Sequence, residues 1–169
     1  MNESIKNLLE RRSIRAYKKE LVPKETLDTI LEAGEYSPSG MGQQSTLMVD
    51  PELVAGLSKM NAAVMGSTSD PFYGAPTVII VFSDSKMGTC VENGSLVMGN
   101  LMNAAHALGV DSCWIHRARE VFDSEEGKEL KKQWGVPEEY IGVGHCVLGY
   151  RDCEYPTAKP RKDGFVIRV

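Results

Sequence analysis

Apolar residues recur at intervals of three and four along several stretches of the chain, the spacing that places them on one face of an α-helix. These positions are Ile5, Leu8 and Leu9; Leu27, Ile30 and Leu31; Leu53, Val54, Leu57 and Met60; Leu96, Val97, Leu101, Ala104, Ala105 and Leu108; and Leu130 and Trp134 behind a capping Ser124. We therefore predict helices over residues 3–11, from Pro23 to near Gly34, after Asp50-Pro51, over about residues 91–108, and after Ser124. The fourth is rich in small residues, which predicts a closely packed, central helix.

Other stretches are rich in β-branched residues and lack helical spacing. We predict strands over residues 46–49, 76–83, 110–115 and 142–150. Residues 76–83 show no alternation with polar residues, which indicates a strand covered on both faces. Residues 165–169 are also β-prone and have little to pack on locally, so they could add a strand to a partner's sheet.

Composition limits the class of protein. The chain has 169 residues and a formal net charge of −4, which argues against a general binder of nucleic acid. The length predicts a single domain, residues 1–169, whose core could be completed by dimerisation. The longest apolar run, residues 78–82, is too short to span a membrane, and the first residues do not resemble a signal peptide. We therefore expect a cytoplasmic protein with its four cysteines reduced.

Two basic clusters could bind a phosphate group. Arg11, Arg12, Ser13 and Arg15 place three guanidinium groups and a hydroxyl within five residues, and guanidinium groups match phosphate oxygens in pairs. The alternative is a basic helix end that binds its own last carbonyl groups. A second cluster, residues 159–162, could equally be a solvated tail.

Residues 37–44 predict a loop with accessible backbone amides and two carboxamides, Gln43 and Gln44. Glycine allows such a loop to approach a flat heterocycle closely, and carboxamides can bind its carbonyl and imide edge. The alternative is a simple connecting loop.

The cysteines and histidines suggest other chemistry less strongly. Cys113, His116, His145 and Cys146 lack the paired spacing of zinc ligands, so we predict no metal site, and buried inert thiols are the simpler interpretation. A thiol nucleophile with His116 or His145 as its base stays an alternative. His106 is interpreted as a packed or capped core histidine. The sequence contains neither of the common glycine-rich phosphate-binding motifs.

Four motifs in order along the chain carry a resemblance. They are Arg11-Arg12-Ser13-Ile14-Arg15, Ser37-Pro38-Ser39-Gly40 followed by Gln44, Asn100 through Gly109 into Ser112-Cys113-Trp114-Ile115, and Lys159-Pro160-Arg161-Lys162. Together they resemble the nitroreductase family of flavin enzymes, and the match extends over nearly the whole chain.

The resemblance implies an α+β fold with a central mixed sheet flanked by helices. It also implies an intertwined homodimer with flavin mononucleotide (FMN) at the subunit interface. The FMN-binding positions that it implies are Arg11, Arg12, Ser13, Arg15, Pro38, Ser39, Gly40, Gln44, Ile115, His116, Arg117, Lys159 and Arg161. In the family, the two basic clusters hold the phosphate, the loop lies against the isoalloxazine, and the backbone at 115–117 approaches its reactive N5 edge.

The implied activity is reduction of a nitroaromatic, quinone or similar small acceptor by NADH or NADPH, in two alternating half-reactions. No catalytic side chain is required, because the cofactor carries the chemistry, but Arg15 is a candidate for electrostatic stabilisation of reduced flavin. A non-catalytic flavin-binding sensor or storage protein is the main alternative.

Two departures from the family pattern concern the site. Met41-Gly42-Gln43-Gln44 stands where the family usually has Met-Asn-x-Gln, so one amide side chain is lost. Residues 44–50 are a few positions shorter than in the family, and residues 64–74 are too few to form a large cover. We therefore expect an active site that is open on that side.

Overall fold

The computed structural model describes residues 1–43, 45–49 and 51–169. Its helices are α1 (Glu3–Glu10), α2 (Lys24–Glu35), α3 (Val54–Val64), α4 (Cys90–Ala107), α5 (Ala118–Asp123) and α6 (Glu125–Gln133), and its strands are β1 (Thr46–Val49), β2 (Thr77–Asp84), β3 (Asp111–Ile115) and β4 (Tyr140–Gly149). In the part of the chain so described, none of the helices has the length and apolar character that crossing a membrane requires.

The strands form one sheet in the order β1-β2-β4-β3, and each neighbouring pair is antiparallel. The α+β class is therefore confirmed. The resemblance implied a mixed sheet. Among the described residues, the one parallel pairing is an isolated bridge between Ser13 and Ser112 at the outer edge of β3. The segment around Ser13 is too short and irregular to form a strand, although it lies beside the sheet as a parallel strand would.

Strand β2 lies at the centre of the protein, and its side chains alternate between two apolar clusters. Val78, Ile80 and Phe82 pack into the cluster that includes Leu57 of α3 and Phe122 of α5. The intervening residues of β2 pack into a second cluster, formed mainly by α2 and α4. An unbroken apolar strand is the sequence that two covered faces require, so the prediction for this segment is confirmed.

Helix α4 packs closely on the sheet, as its small residues predict. A Cβ atom added to Gly94 would lie 2.5 Å from Cγ2 of Val143 on β4, a distance that no side chain tolerates without displacement. On its other side, the side-chain amide of Asn100 donates a hydrogen bond to the Ala33 carbonyl of α2 over 2.9 Å. Helix α4 therefore fixes α2 and β4 relative to each other.

The chain departs from the predicted elements at three places. Residues 51–53 form a 3-10 turn and α3 begins at Val54, later than predicted, while Asp50 lies outside the described residues. Helix α5 was not predicted at all, although Ser124 caps α6 as expected by accepting a hydrogen bond from the Gly127 amide. Residues 165–169 form no strand in the single chain and are exposed.

Candidate functional site

The arginine segment runs along the outer edge of β3. The Ile14 amide donates a hydrogen bond to the Ser112 carbonyl over 3.1 Å, and the Ile14 side chain is fully buried. Successive side chains of an extended segment point to opposite sides, and Arg15 is accordingly exposed. The buried isoleucine therefore fixes the backbone that presents Ser13 and Arg15.

The two arginines before Ser13 have different environments. Nη1 of Arg12 donates hydrogen bonds to the carbonyl oxygens of Leu9 and Arg11, each over 2.8 Å. Arg12 therefore binds the last carbonyl groups of α1, which is the alternative interpretation of the basic cluster. Nη1 of Arg11 makes no such bond: it is buried without a hydrogen-bond partner among the described residues, as is Nε of Arg12. A buried guanidinium nitrogen without a partner is costly, which favours a ligand anion beside this arginine segment.

A pocket of about 310 Å³ lies beside this segment, at the end of β3. It is lined by Arg15, Met65, Pro71, Tyr73, Cys113, Trp114, Ile115, His116 and Arg117. Burial raises the pKa of the Cys113 thiol, while Arg15, a hydrogen bond from Ser13, and Arg11 act against that increase. All three side chains therefore lie near Cys113, and the structure brings them together with residues 115–117.

The walls of this pocket contain unusual backbone conformations. Tyr73 has φ = 57° and Arg117 has φ = 79°, and only one other non-glycine residue in the described chain, Met41, has a positive φ. Such residues cost about 1–3 kcal/mol each and are concentrated at functional sites. Two of the three line one pocket, which indicates that this pocket has a role beyond packing.

The turn that carries Tyr73 is held by Asp70. Its carboxylate accepts hydrogen bonds from the Phe72 amide over 2.9 Å and from the Gly74 amide over 2.7 Å. Although partial burial acts in the other direction, a hydrogen bond from Ser58 and these two amides lower the pKa of Asp70. The Phe72 side chain is buried in the core. Tyr73 could not be predicted from the sequence, because nothing in its local pattern indicates a turn anchored in this way.

The predicted loop around Gly40 forms a second pocket of about 350 Å³, lined by Gly34, Glu35, Ser37, Ser39, Gln43, Ser45, Leu47, Asn93 and Val97. The Gly40 amide donates to Oδ1 of Asn93 over 2.8 Å, and a Cβ atom on Gly40 would lie 2.5 Å from Oγ1 of Thr89. The Ser37 and Ser45 hydroxyls and Nδ2 of Asn93 are buried without a hydrogen-bond partner among the described residues. These unpaired groups favour a polar ligand or a second chain at this loop.

The structure does not bring all of the predicted site residues together within one chain. The two pockets share no lining residue, so Ser39 and its loop are separate from the Arg15 pocket. Pro38, Lys159 and Arg161 are exposed, and within the described chain the two basic residues form no ion pair or hydrogen bond. Gln44 lies outside the described residues.

The cysteines and histidines do not form an alternative centre among the described residues. No group of three or more His, Cys, Asp and Glu side chains there could hold a metal ion. Burial raises the pKa of Cys146 to about 12 as well as that of Cys113, and thiols of raised pKa are poor nucleophiles. His145 is fully buried with both ring nitrogens unpaired, and His106 is packed against Tyr155 near the surface instead of in the core.

Comparison with known proteins identifies the fold and its relatives. The model of the nitroreductase family matches residues 8–67 and 48–150. A protein of Archaeoglobus fulgidus, provisionally named an NADH dehydrogenase/NAD(P)H nitroreductase, is 30% identical over 159 residues, which cover 89% of this chain and 86% of the relative.

Two solved structures align with this chain over the full length of both chains. One is a nitroreductase with bound FMN from Bacteroides fragilis, with a TM-score of 0.90 and 29% identity. The other is a nitroreductase with bound FMN from Desulfitobacterium hafniense, with a TM-score of 0.88 and 28% identity. From the fold, the arginine segment along β3 and these matches, we conclude that the chain belongs to the nitroreductase family of oxidoreductases.

Proposed function

We propose that this protein is an FMN-dependent oxidoreductase that uses NADH or NADPH to reduce a small acceptor, such as a nitroaromatic or a quinone. The observation that carries the proposal is the arrangement of Arg11, Ser13 and Arg15 along β3, beside a pocket with two strained backbone positions. The bound FMN of the two similar structures supports the choice of cofactor.

The arginine segment fits the phosphate of FMN. Arg11 offers a buried, unpaired guanidinium nitrogen, and Ser13 adds a hydroxyl donor beside it. Arg15 is exposed, lines the pocket, and has no ion pair within the described chain. Charge-assisted hydrogen bonds between guanidinium groups and phosphate oxygens are short and strong, which is the role that these three residues would perform.

The residues around the Arg15 pocket fit a flat ring system. The backbone of Ile115, His116 and Arg117 would lie along one edge of the ring, and such contacts depend little on side-chain identity. Tyr73 and Met65 would flank the ring, since aromatic and thioether side chains pack well on aromatic faces. The loop with Pro38, Ser39, Gly40 and Gln44 would approach the same ring from the other subunit.

Held by Arg11, Ser13 and Arg15, FMN would supply hydride transfer from the nicotinamide and electron transfer to the acceptor, in the two half-reactions of the proposed ping-pong scheme. The protein's contribution is orientation and electrostatics. Reduced flavin carries negative charge near N1 and the C2 carbonyl, so the Arg15 guanidinium would stabilise the reduced form. No side-chain acid or base is needed, and none is assigned.

We further propose that the functional unit is a homodimer with one site at each side of its interface. Every residue of α1 is at least partly exposed, and its apolar residues Ile5, Leu8 and Leu9 are about half exposed. Exposed apolar faces of this kind are typical of protein interfaces. A second chain would cover α1 and add the Gly40 loop to the Arg15 pocket, which explains why one chain holds the two parts separately.

The first experiment is an ultraviolet-visible spectrum of the purified protein after reconstitution with FMN, before and after anaerobic addition of NADH or NADPH. We expect flavin absorption bands that bleach with at least one donor and recover on addition of a quinone or nitroaromatic. Bands that persist with both donors would support a flavin-binding sensor or storage protein instead.

A protein that retains no flavin after reconstitution would contradict the proposal. In that case, loss of activity on alkylation of Cys113 would be the test of the thiol alternative. Size-exclusion chromatography with light scattering of the same sample measures the subunit number.

A further inference from the structure

The chain after β4 turns back along the segment that carries the arginines. The Arg151 amide and guanidinium group both donate to the Asp111 carboxylate, over 3.0 and 3.2 Å. The Asp152 amide then donates to the Ala16 carbonyl over 2.9 Å. Because Ala16 directly follows Arg15, these contacts bring the beginning of the tail, residues 151–169, next to the arginine segment.

Tyr155 then attaches the tail at the other end of that segment. Its hydroxyl donates a hydrogen bond to the Glu10 carbonyl over 2.8 Å, and Glu10 directly precedes Arg11. Its ring stacks on His106 of α4, with ring centroids 6.2 Å apart and an angle of 14° between the planes. The Arg151 guanidinium carbon lies 5.0 Å from the same ring centroid. Tyr155 therefore joins the tail to the ends of both α1 and α4.

No other attachment follows in the described chain. Residues 156–169 are exposed. Among the described residues, their one backbone hydrogen bond lies within the tail itself, from the Phe165 amide to the Lys162 carbonyl. Tyr155 is thus the last point at which the tail is fixed before its basic cluster. An extended chain spans at most about 3.6 Å per residue, so Lys159 lies within about 14 Å of Tyr155 and Arg161 within about 22 Å.

We propose that Tyr155 is a positioning residue for the cofactor phosphate: it fixes the point from which the tail brings Lys159 and Arg161 to the anion held by Arg11, Ser13 and Arg15. This inference rests on the proposed function. Fixing the tail close to the site raises the effective concentration of its two cations there, because the free segment becomes shorter. Without Tyr155, the last attachment is Asp152, and Lys159 and Arg161 occupy a larger volume.

Tyr155 can be tested separately from the charges that it positions. Replacing tyrosine by alanine or phenylalanine removes no formal charge, so the net charge beside the phosphate is unchanged. Riboflavin, which has the ring of FMN but no phosphate, is the matched control ligand. A residue that positions cations for the phosphate affects FMN binding alone, whereas a residue that supports the whole pocket affects both ligands.

The experiment measures dissociation constants of FMN and riboflavin by flavin fluorescence, in the wild type, Tyr155→Ala, Tyr155→Phe, Lys159→Ala/Arg161→Ala and the triple variant. We expect Tyr155→Ala to weaken FMN binding by about tenfold, the magnitude of one charge-assisted hydrogen bond, and to leave riboflavin binding unchanged. Tyr155→Phe loses the bond to Glu10 but keeps the stacking, so its effect should be smaller. The triple variant should bind FMN no more weakly than Lys159→Ala/Arg161→Ala.

The salt dependence of FMN binding gives a second readout. The affinity of the wild type should fall steeply with ionic strength, and Tyr155→Ala should reduce this slope because fewer cations reach the phosphate. Thermal melting of the flavin-free variants shows whether they fold. If Tyr155→Ala does not fold, the comparison of Tyr155→Phe with the wild type tests the contact with Glu10 by the same measurements.

Four results would overturn the inference while leaving the proposed function intact, and the first three concern Tyr155→Ala. They are unchanged FMN binding by Tyr155→Ala, equal weakening of FMN and riboflavin, and an effect that adds in full to that of Lys159→Ala/Arg161→Ala. FMN binding that is unaffected by Lys159→Ala/Arg161→Ala would also overturn it, because the tail would then have no role at the phosphate. Failure of the wild type to bind FMN would instead reject the proposed function.

Discussion

Three arginines within five positions have three different environments. Arg12 binds the carbonyl groups at the end of α1, Arg11 is partly exposed but has a buried, unpaired Nη1 atom, and Arg15 is exposed at a pocket. The residue type alone does not distinguish them, because each guanidinium group could bind either a helix end or a phosphate. The distinction arises from the buried Ile14, which fixes the backbone direction after α1.

We expect Arg15→Ala to lower the affinity for FMN and to make the bound flavin harder to reduce, since a cation near N1 favours the anionic reduced form. The decrease in midpoint potential should be on the order of 30 mV, which corresponds to about 1.4 kcal/mol for a two-electron couple. Spectroelectrochemical titration measures it, and Arg15→Lys should retain part of the effect.

Arg12→Ala is the matched control for Arg15→Ala. It should lower thermal stability, by about 1 kcal/mol for the lost hydrogen bonds to helix carbonyls, without changing the flavin potential. An equal change of potential in the two variants would show that the environments described for these arginines do not separate their roles.

Arg117 offers a test of backbone strain beside the same pocket. Its left-handed conformation is unfavourable for every residue except glycine, and its guanidinium group pairs with Glu120 over 2.7 Å at the surface. We expect Arg117→Gly to be more stable than Arg117→Ala by about 1 kcal/mol in denaturant unfolding.

Arg119 lies two residues later, inside α5, where alanine is preferred over glycine by up to about 1 kcal/mol. The order of stability should therefore reverse, with Arg119→Ala more stable than Arg119→Gly. The same order at both positions would contradict the conformation found for Arg117.

Among the secondary-structure elements, those with a clear period could be predicted. The apolar spacing predicted α1, α2 and α4, and the unbroken apolar run predicted the central strand β2. Helix α5 could not be predicted, because it has six residues, begins after the strained Arg117, and follows β3 without a turn signal. Its position depends on Phe122, which packs against Phe82 with ring centroids 4.7 Å apart.

The candidate site likewise combines parts that have a sequence signal with parts that have none. Motifs along the chain predicted the arginine segment and residues 115–117, and the structure brings Arg15 and residues 115–117 to one pocket. The wall formed by Met65, Pro71 and Tyr73 lies in a segment without periodicity, which is held by the buried Phe72 and by the hydrogen bonds of Asp70. Tyr155 was also missed, since a single tyrosine in an extended tail gives no local signal.

The strand β4 carries a buried titratable group whose effect on stability can be measured. His145 is fully buried, its ring contacts Phe72 and Phe122, and burial lowers its pKa to about 3. In the unfolded chain, a histidine binds a proton below about pH 6.5. The unfolded state therefore gains a proton first as the pH falls, so stability is highest above about pH 6.5 and decreases towards pH 3.

For His145, the expected loss is about 2 kcal/mol between pH 7 and pH 5, from the proton linkage of this one group. Denaturant unfolding as a function of pH measures it. His145→Leu should flatten this part of the profile, whereas His116→Leu, which removes an exposed histidine, should not. A profile unchanged by His145→Leu would show that other groups cause the acid sensitivity.

At the scale of the whole molecule, the proposed homodimer, with a site shared between chains, predicts that defects in different chains compensate for one another. Consider one chain with Arg11→Ala/Arg15→Ala and another with Gly40→Val, whose Cβ atom would lie 2.5 Å from Oγ1 of Thr89 and displace the loop. In a mixed dimer, one site combines both defects, and the other combines an intact arginine segment with an intact loop.

Each variant alone should therefore be nearly inactive, while co-expression of the two should restore activity. Random pairing makes half of the dimers mixed, each with one intact site, which gives about a quarter of the wild-type activity per chain. If each site were built within one chain, no combination of the two variants would exceed the average of the separate proteins. If the proposed dimer combines the arginine segment of one chain with the loop of the other, two differently inactivated chains can complement each other, which no site built within a single chain allows.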